Sequence, residues 1–340
     1  MGGMSRIALT FAVSAAGVAV FELLSLPLPF LLGPLAACLV AALAQIPMRE
    51  AGQISAAMRT VLGVAVGASI TPALLERLPD MALSAALIPP FVLLIGLIGY
   101  PFFRRVIGFD HATAYYAAMP GGFQDMVLFG QEAGGDVRAL SLIHATRVMM
   151  IVVAAPILLT QVWGVSLDNP PGAPVTSIPL SELLLMTAAA LIGWKGGEAL
   201  GLFGAAILGP LIVTAVLSLS DIIHFRPPAE AILAAQFFIG TGIGVKYAGV
   251  TLAELRRDVF AGVAYVILIA GLAFAFASLV ATLGFAGSLE AFLAFAPGGQ
   301  AEMAVLAIIA GADLAFIVTH HLIRIIIVIL GAPIAARLAR

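Results

Sequence analysis

One long segment occurs twice in this chain, and any fold must accommodate both copies. MPGGFQDMVLFGQEAGGDVRALSLIHATRVMMIVVAAP runs from Met119 to Pro156, and APGGQAEMAVLAIIAGADLAFIVTHHLIRIIIVILGAP runs from Ala296 to Pro333. Setting Pro120 on Pro297 pairs Asp125 with Glu302, Met126 with Met303, Asp136 with Asp313, His144 with His321, Arg147 with Arg324 and Pro156 with Pro333, all at a spacing of 177 residues. The correspondence continues upstream. Glu22 answers to Glu198 and Leu32-Gly33-Pro34 to Leu208-Gly209-Pro210 at a spacing of 176, and Gly63 and Gly67 answer to Gly240 and Gly244 at 177. Self-similarity over nearly the whole length means a duplicated architecture. The first repeat covers residues 1–165, a Pro-rich linker 166–180, and the second repeat 181–340.

Composition decides the solvent of both repeats. Charged residues make up 10% of the chain and hydrophobic ones 62%, with a mean hydropathy of +1.14, whereas soluble domains carry about a quarter charged residues. The chain therefore reads as all-α and polytopic in a membrane. Its apolar stretches suit helices crossing about 30 Å of hydrocarbon, and the alternation of a β-barrel strand is absent. Cys38 is the single cysteine, so neither a disulfide framework nor a thiolate metal site is available. A net charge of −2 with no basic run gives no footprint for nucleic acid. The first apolar run lacks a charged leader and a cleavage site, and reads as a retained helix.

Read in order, the first repeat has helices over 7–26, 30–46, 51–75 and 81–103, a Pro-Gly-Gly segment over 109–134, and a long helix from Asp136 to Trp163. The Pro-Gly-Gly segment either crosses the membrane or enters and returns on one side. Positive charge separates the alternatives. Of sixteen Lys and Arg, four (Arg59, Arg147, Lys246, Arg324) sit within apolar segments and twelve near helix ends. If the segment crosses, the repeats lie parallel and the twelve split seven to five. If it returns, the second repeat is inverted, and Arg6, Arg49, Arg104, Arg105, Arg138, Lys195, Arg256, Arg257, Arg337 and Arg340 share the cytoplasmic side against Arg77 and Arg226 outside. Ten against two is what the positive-inside rule expects. The predicted architecture is two inverted repeats, each of five transmembrane helices plus one re-entrant Pro-Gly-Gly hairpin, with both termini cytoplasmic. Inverted repeats with broken helices that meet near the midplane are the architecture of secondary transporters.

The candidate site lies at the two tips. Proline ends the first arm, glycines permit the turn and a close approach of solute, and the second arm begins with free N–H groups. Pro120, Gly121, Gly122, Pro297, Gly298 and Gly299 form the turns, and Gln124 and Gln300 are placed for neutral hydrogen bonds to a solute. Asp125 and Glu302 fall in the first turn of each second arm, where a carboxylate either caps the helix or serves an ion or proton path. His144 and Arg147 lie eight and eleven residues beyond Asp136, and His321 and Arg324 repeat this from Asp313. Arginines this deep need a partner. The structural reading is a clamp from Arg147 to Asp125 and from Arg324 to Glu302; the functional one is a ligand carboxylate, with the histidines relaying protons. Gln53, Arg59, Gln236 and Lys246 are further polar groups that could line the same cavity, and the glycine pairs have small-xxx-small packing spacing. No constellation for an enzyme is visible: His320 and His321 are adjacent and cannot form an i, i+4 zinc pair.

Pro120-Gly121-Gly122, Met126, Gly134-Gly135-Asp136, Arg147 and Pro156, followed by Pro297-Gly298-Gly299, Met303, Gly311-Ala312-Asp313, Arg324 and Pro333, resemble the bacterial membrane proteins built from the AbrB duplication. Members carry the labels AbrB family transcriptional regulator and ammonia monooxygenase, but no DNA-binding helix outside the membrane or set of copper ligands stands behind either here. The expected function is a secondary transporter of a small polar or charged solute in the bacterial inner membrane. It is coupled to Na+ or H+ and needs no other cofactor. The bilayer and the solute are its partners, and a homo-oligomer is compatible with it. A membrane-embedded ligand sensor acting indirectly on gene expression is the alternative, and a membrane monooxygenase a distant third.

Overall fold

The computed structural model describes residues 3–167, 170–202 and 204–338. Among these the chain is helical without strands, so the all-α expectation holds. Asp168 of the linker and the terminal Arg340 lie outside the described residues, as does the side chain of Arg337.

The order of helices repeats. The first half runs α1 (Gly3–Leu23), α2 (Pro29–Leu43), α3 (Gly52–Gly67), α4 (Pro72–Ala85), α5 (Ile88–Pro101), α6 (His111–Ala118), α7 (Phe123–Glu132) and α8 (Val137–Trp163). The second runs α9 (Leu180–Ala199), α10 (Ala205–Leu219), α11 (Ala229–Val245), a short α12 (Leu252–Glu254), α13 (Phe260–Thr282), α14 (Ser288–Phe295), α15 (Gln300–Ile309) and α16 (Leu314–Leu338). Against the ten spans expected, five stretches among the described residues combine the length and hydropathy needed to cross a bilayer: Met4–Leu23, Glu76–Ile107, Val137–Trp163, Leu252–Thr282 and Leu314–Ala332. Helices α2, α10 and α11 are apolar but have only 15, 15 and 17 residues, about 22–26 Å at 1.5 Å rise. The third helix is shorter than expected because Pro72 starts a new one at residue 72, and the predicted helix over 81–103 falls on two consecutive helices, α4 and α5.

Compactness divides the chain into two units that both draw on both repeats. Residues 1–77, 155–250 and 304–315 form one. In it α1 packs on α2, α2 on α11, α11 on α3, α3 on α10 and α10 on α9. Glycines set these crossings. A Cβ on Gly240 would lie 2.1 Å from the Leu31 carbonyl oxygen, and one on Gly63 would lie 2.4 Å from that of Ile207. Leu31 and Ile207 are themselves counterparts, so the two contacts correspond under the duplication. Gly17 against Gly33 and Gly193 against Gly209 form a second interchanged pair, each a carbonyl contact that only a missing Cβ allows.

The other unit comprises residues 78–154, 251–303 and 316–340. Here α5 packs on α6 and α13, and α13 on α14. Helices α6 and α7 pack on each other. The Asp136 amide donates to Thr113 Oγ1 at 2.8 Å, which ties the end of the segment to its beginning. Asp110 accepts the Thr113 amide at 3.0 Å and caps α6, and Asp136 Oδ1 accepts the amides of Arg138 and Ala139 at 3.0 Å and caps α8.

Candidate functional site

Breaking a helix inside apolar surroundings strands carbonyl oxygens at its C-terminal end. Helix α6 ends at Ala118 and Pro120 cannot continue it. The stranded oxygens are met by side chains from distant helices. His144 of α8 donates through Nε2 to Tyr116 O at 3.0 Å. Arg147, one turn on, donates through Nη1 to Met119 O at 3.1 Å and through Nη2 to Gly121 O at 2.6 Å. Tyr265 of α13 donates its hydroxyl to Ala118 O.

The second broken helix end is braced in the same register. His321 Nε2 donates to Leu293 O at 2.9 Å, and Arg324 donates through Nη1 to Ala296 O and through Nη2 to Gly298 O, both at 2.8 Å. Leu293, Ala296 and Gly298 are the counterparts of Tyr116, Met119 and Gly121. Both histidines face a carbonyl through Nε2, so that nitrogen carries the proton and Nδ1 is the acceptor of the neutral ring. In the second repeat Arg324 Nη2 fills that acceptor at 2.9 Å. In the first, His144 Nδ1 has no partner.

The tips leave little open backbone. A Cβ on Gly121 would lie 2.6 Å from Met126 Cε, and one on Gly298 would lie 2.8 Å from Met303 Cε. The buried methionines thus pack under each turn. A Cβ on Gly122 would fall 2.5 Å from Asp125 Oδ2, and one on Gly299 would fall 2.1 Å from Glu302 Oε2. Each acid stands third in its helix and folds back over the glycine that precedes it. Asp125 accepts the Gly122 amide in doing so, half of a capping box. Pro120 and Pro297 are buried at the turns; the side chain of Gln124 lies outside the described residues.

The arginines hold the broken helix ends, but the carboxylate partner expected for Arg147 is not the one used. Its terminal nitrogens both go to carbonyl oxygens, and Asp125 Oδ1 has no partner. The reason is local: a carbonyl at a broken helix end has no other donor, whereas Asp125 satisfies itself in part on its own helix. Charge still links the two tips, since Asp125 and Glu302 both act on Arg147, and Arg147 and Arg324 act on each other. Among the described residues, five buried polar atoms around the tips are without partners: Asp125 Oδ1, His144 Nδ1, Arg147 Nε, Gln300 Nε2 and Arg324 Nε. Each such atom costs about 1–3 kcal/mol when nothing meets it, so their gathering at one place calls for an explanation.

Other predicted polar groups go elsewhere. Arg59 Nη2 and Lys246 Nζ meet Glu50 at 3.0 and 3.4 Å in the unit built from α1–α3 and α9–α11, and Gln236 is buried there. Gln53 is exposed. His320 accepts from Ser84 Oγ at 3.0 Å, and among the described residues no cluster of His, Cys, Asp and Glu could hold a metal ion. Tyr265 escaped the sequence reading because its counterpart is Ile88. The only available signal was a phenol in an otherwise apolar helix.

Residues 30–340 match the family model described as transition state regulatory protein AbrB. The chain belongs to this family. The chain is 26% identical to the Bacillus subtilis (strain 168) protein YhjN over 95% of its own length and 90% of that relative. It is also 26% identical to the putative regulator AbrB of Escherichia coli (strain K12), over 93% of its own length and 91% of the relative. With five helices long and apolar enough to cross a bilayer, this member of the AbrB family is a membrane protein.

Proposed function

We propose that this AbrB-family protein is a secondary transporter of a small polar or charged solute, coupled to protons or sodium, with its site at the two hairpin tips. The observation that carries the proposal is the set of partnerless buried polar atoms at the tips of two paired broken helices. Transporters use such discontinuities near the midplane for solute and ion.

The proposal includes an inverted topology, and contacts within each unit favour it. If the Pro-Gly-Gly segments crossed the membrane, Glu50 and Lys246 would stand on opposite faces, as would Gln45 and Val250. Instead Lys246 Nζ is 3.4 Å from Glu50 and Gln45 Nε2 donates to Val250 O at 2.8 Å. The charge of Asp313 likewise acts on Arg226, and the Arg257 guanidinium lies 5.3 Å from the Phe109 ring. Re-entrance puts all of these pairs on shared faces, and the Thr113–Asp136 bond closes the base of the first hairpin. In the bacterial inner membrane, with both termini cytoplasmic, cysteines at Arg138 and Arg226 label from the cytoplasmic and outer faces respectively. Labelling of position 138 from outside refutes the inversion.

The transport proposal is tested by a thermal-shift screen of small polar metabolites, followed by uptake of the hits into proteoliposomes under imposed pH or sodium gradients. Gradient-driven accumulation supports it. Binding without flux under either gradient sinks it and leaves a ligand sensor, the reading that fits a relative named a putative regulator.

A further inference from the structure

Among the described residues three carboxylates are buried: Asp125, Glu182 and Asp258. Two are paired. Asp258 receives Arg257 Nε at 2.6 Å and Glu182 meets His224 Nδ1 at 2.8 Å. Asp125 is 1% exposed, takes one backbone amide on its own helix, and has an oxygen with no partner. Its counterpart Glu302 is only partly buried and does have a partner. The duplication is therefore broken at this position: one hairpin carries a sequestered, incompletely bonded acid and the other does not.

A buried carboxylate oxygen that no donor meets carries a cost, and a proton removes it without needing a cavity. A sodium ion would need several oxygen ligands. The nearby tip oxygens are unsuited to that role. Met119 O and Gly121 O already accept from the guanidinium of Arg147, Ala118 O accepts from Tyr265, and Tyr116 O from His144. A metal cation there would sit against a fixed positive charge. The charged group acting on Asp125 is Arg147 of α8; behind it stand Glu302 and Arg324, with Tyr265 on α13.

We infer that Asp125 is the single proton-carrying carboxylate of the two tips, that Glu302 is not one, and that the coupling ion of this protein is a proton. This rests on the transport reading, and it assigns one proton to each cycle. The carboxylate takes H+ at Oδ1 while the tip is enclosed and releases it when the tip opens to water.

The test needs no substrate. Infrared difference titration of the purified full-length protein follows the C=O stretch of protonated carboxyl groups. The expected result is a band of one group per chain that disappears as pH rises, is absent in Asp125→Asn, shifts but survives in Asp125→Glu, and is unchanged in Glu302→Gln. Replacing choline chloride with sodium chloride leaves its midpoint unmoved. A band that survives Asp125→Asn, one that vanishes in Glu302→Gln, or a midpoint that falls about one unit per tenfold sodium overturns the inference. The two readings fail separately. A titrating Asp125 with no flux in proteoliposomes leaves the proton site standing and removes transport, whereas sodium-driven flux without the Asp125 band does the reverse.

Discussion

Replacing Arg147 by methionine keeps an unbranched apolar stem and removes both hydrogen bonds to the first tip. The carbonyl oxygens of Met119 and Gly121, held at 3.1 and 2.6 Å, are left in a buried site. Bonds to charged groups contribute about 1.5–3 kcal/mol each in soluble proteins, and polar contacts in membrane proteins average about 0.6 with a maximum near 1.7, so the pair is expected to contribute about 2–4 kcal/mol. Lysine recovers only some of this, because one ammonium cannot serve two divergent carbonyls. The assay is reversible unfolding in mixed micelles together with hydrogen exchange at the first-turn amides of α7, which should lose protection. Combining Arg147→Met with Asp125→Asn then separates the carbonyl clamp from an ion pair. With the arginine committed to carbonyls, the two changes should be additive to within about 0.5 kcal/mol. A coupling above about 1.5 kcal/mol would refute the reasoning, since it would mean that Arg147 holds the tip through Asp125 after all.

Gly240→Ala and Gly63→Ala should each lower stability by about 1–3 kcal/mol, because each Cβ would press on a facing carbonyl and push the paired helices apart. Gly271→Ala, with nothing within 4 Å, is the control: unfolding midpoints should show no loss and up to about 1 kcal/mol of gain. His224 is raised above the usual histidine range by its hydrogen bond to Glu182, with Asp221 adding to it. The contribution of this pair is complete below the unfolded histidine value and is lost as pH rises through the raised folded value. In Glu182→Gln an NMR titration of His224 should fall back toward the ordinary midpoint, and an unchanged midpoint would remove the pair as the cause.

Helical character and duplication are legible in the sequence because both follow from pattern alone. Runs of apolar residues meet the thickness of a bilayer, and Pro-Gly-Gly stops a helix wherever it stands. The requirement that Arg147 and Arg324 find partners is equally legible, since a guanidinium that deep cannot stand alone. Its answer is not. A partner 26 or 28 residues away is decided by which helix end comes within reach, and composition does not distinguish a carbonyl oxygen from a carboxylate as the acceptor. Arg59 and Lys246 make the same point: both stand in apolar segments of the sequence like Arg147, yet packing leaves them partly exposed and beside Glu50.

The sequence by itself determined a duplicated all-helical membrane chain whose two broken helices carry the same pattern of acid, histidine and arginine at the same spacing. Only the tertiary structure decided that the arginines and histidines meet the carbonyls of the broken ends, that methionines close the space beneath the turns, and that Asp125 is left with an unmatched oxygen. The physical reason is that residue spacing sets which groups share a helix face, while desolvation makes every buried polar group seek a partner. Which partner it finds depends on where the neighbouring helices end.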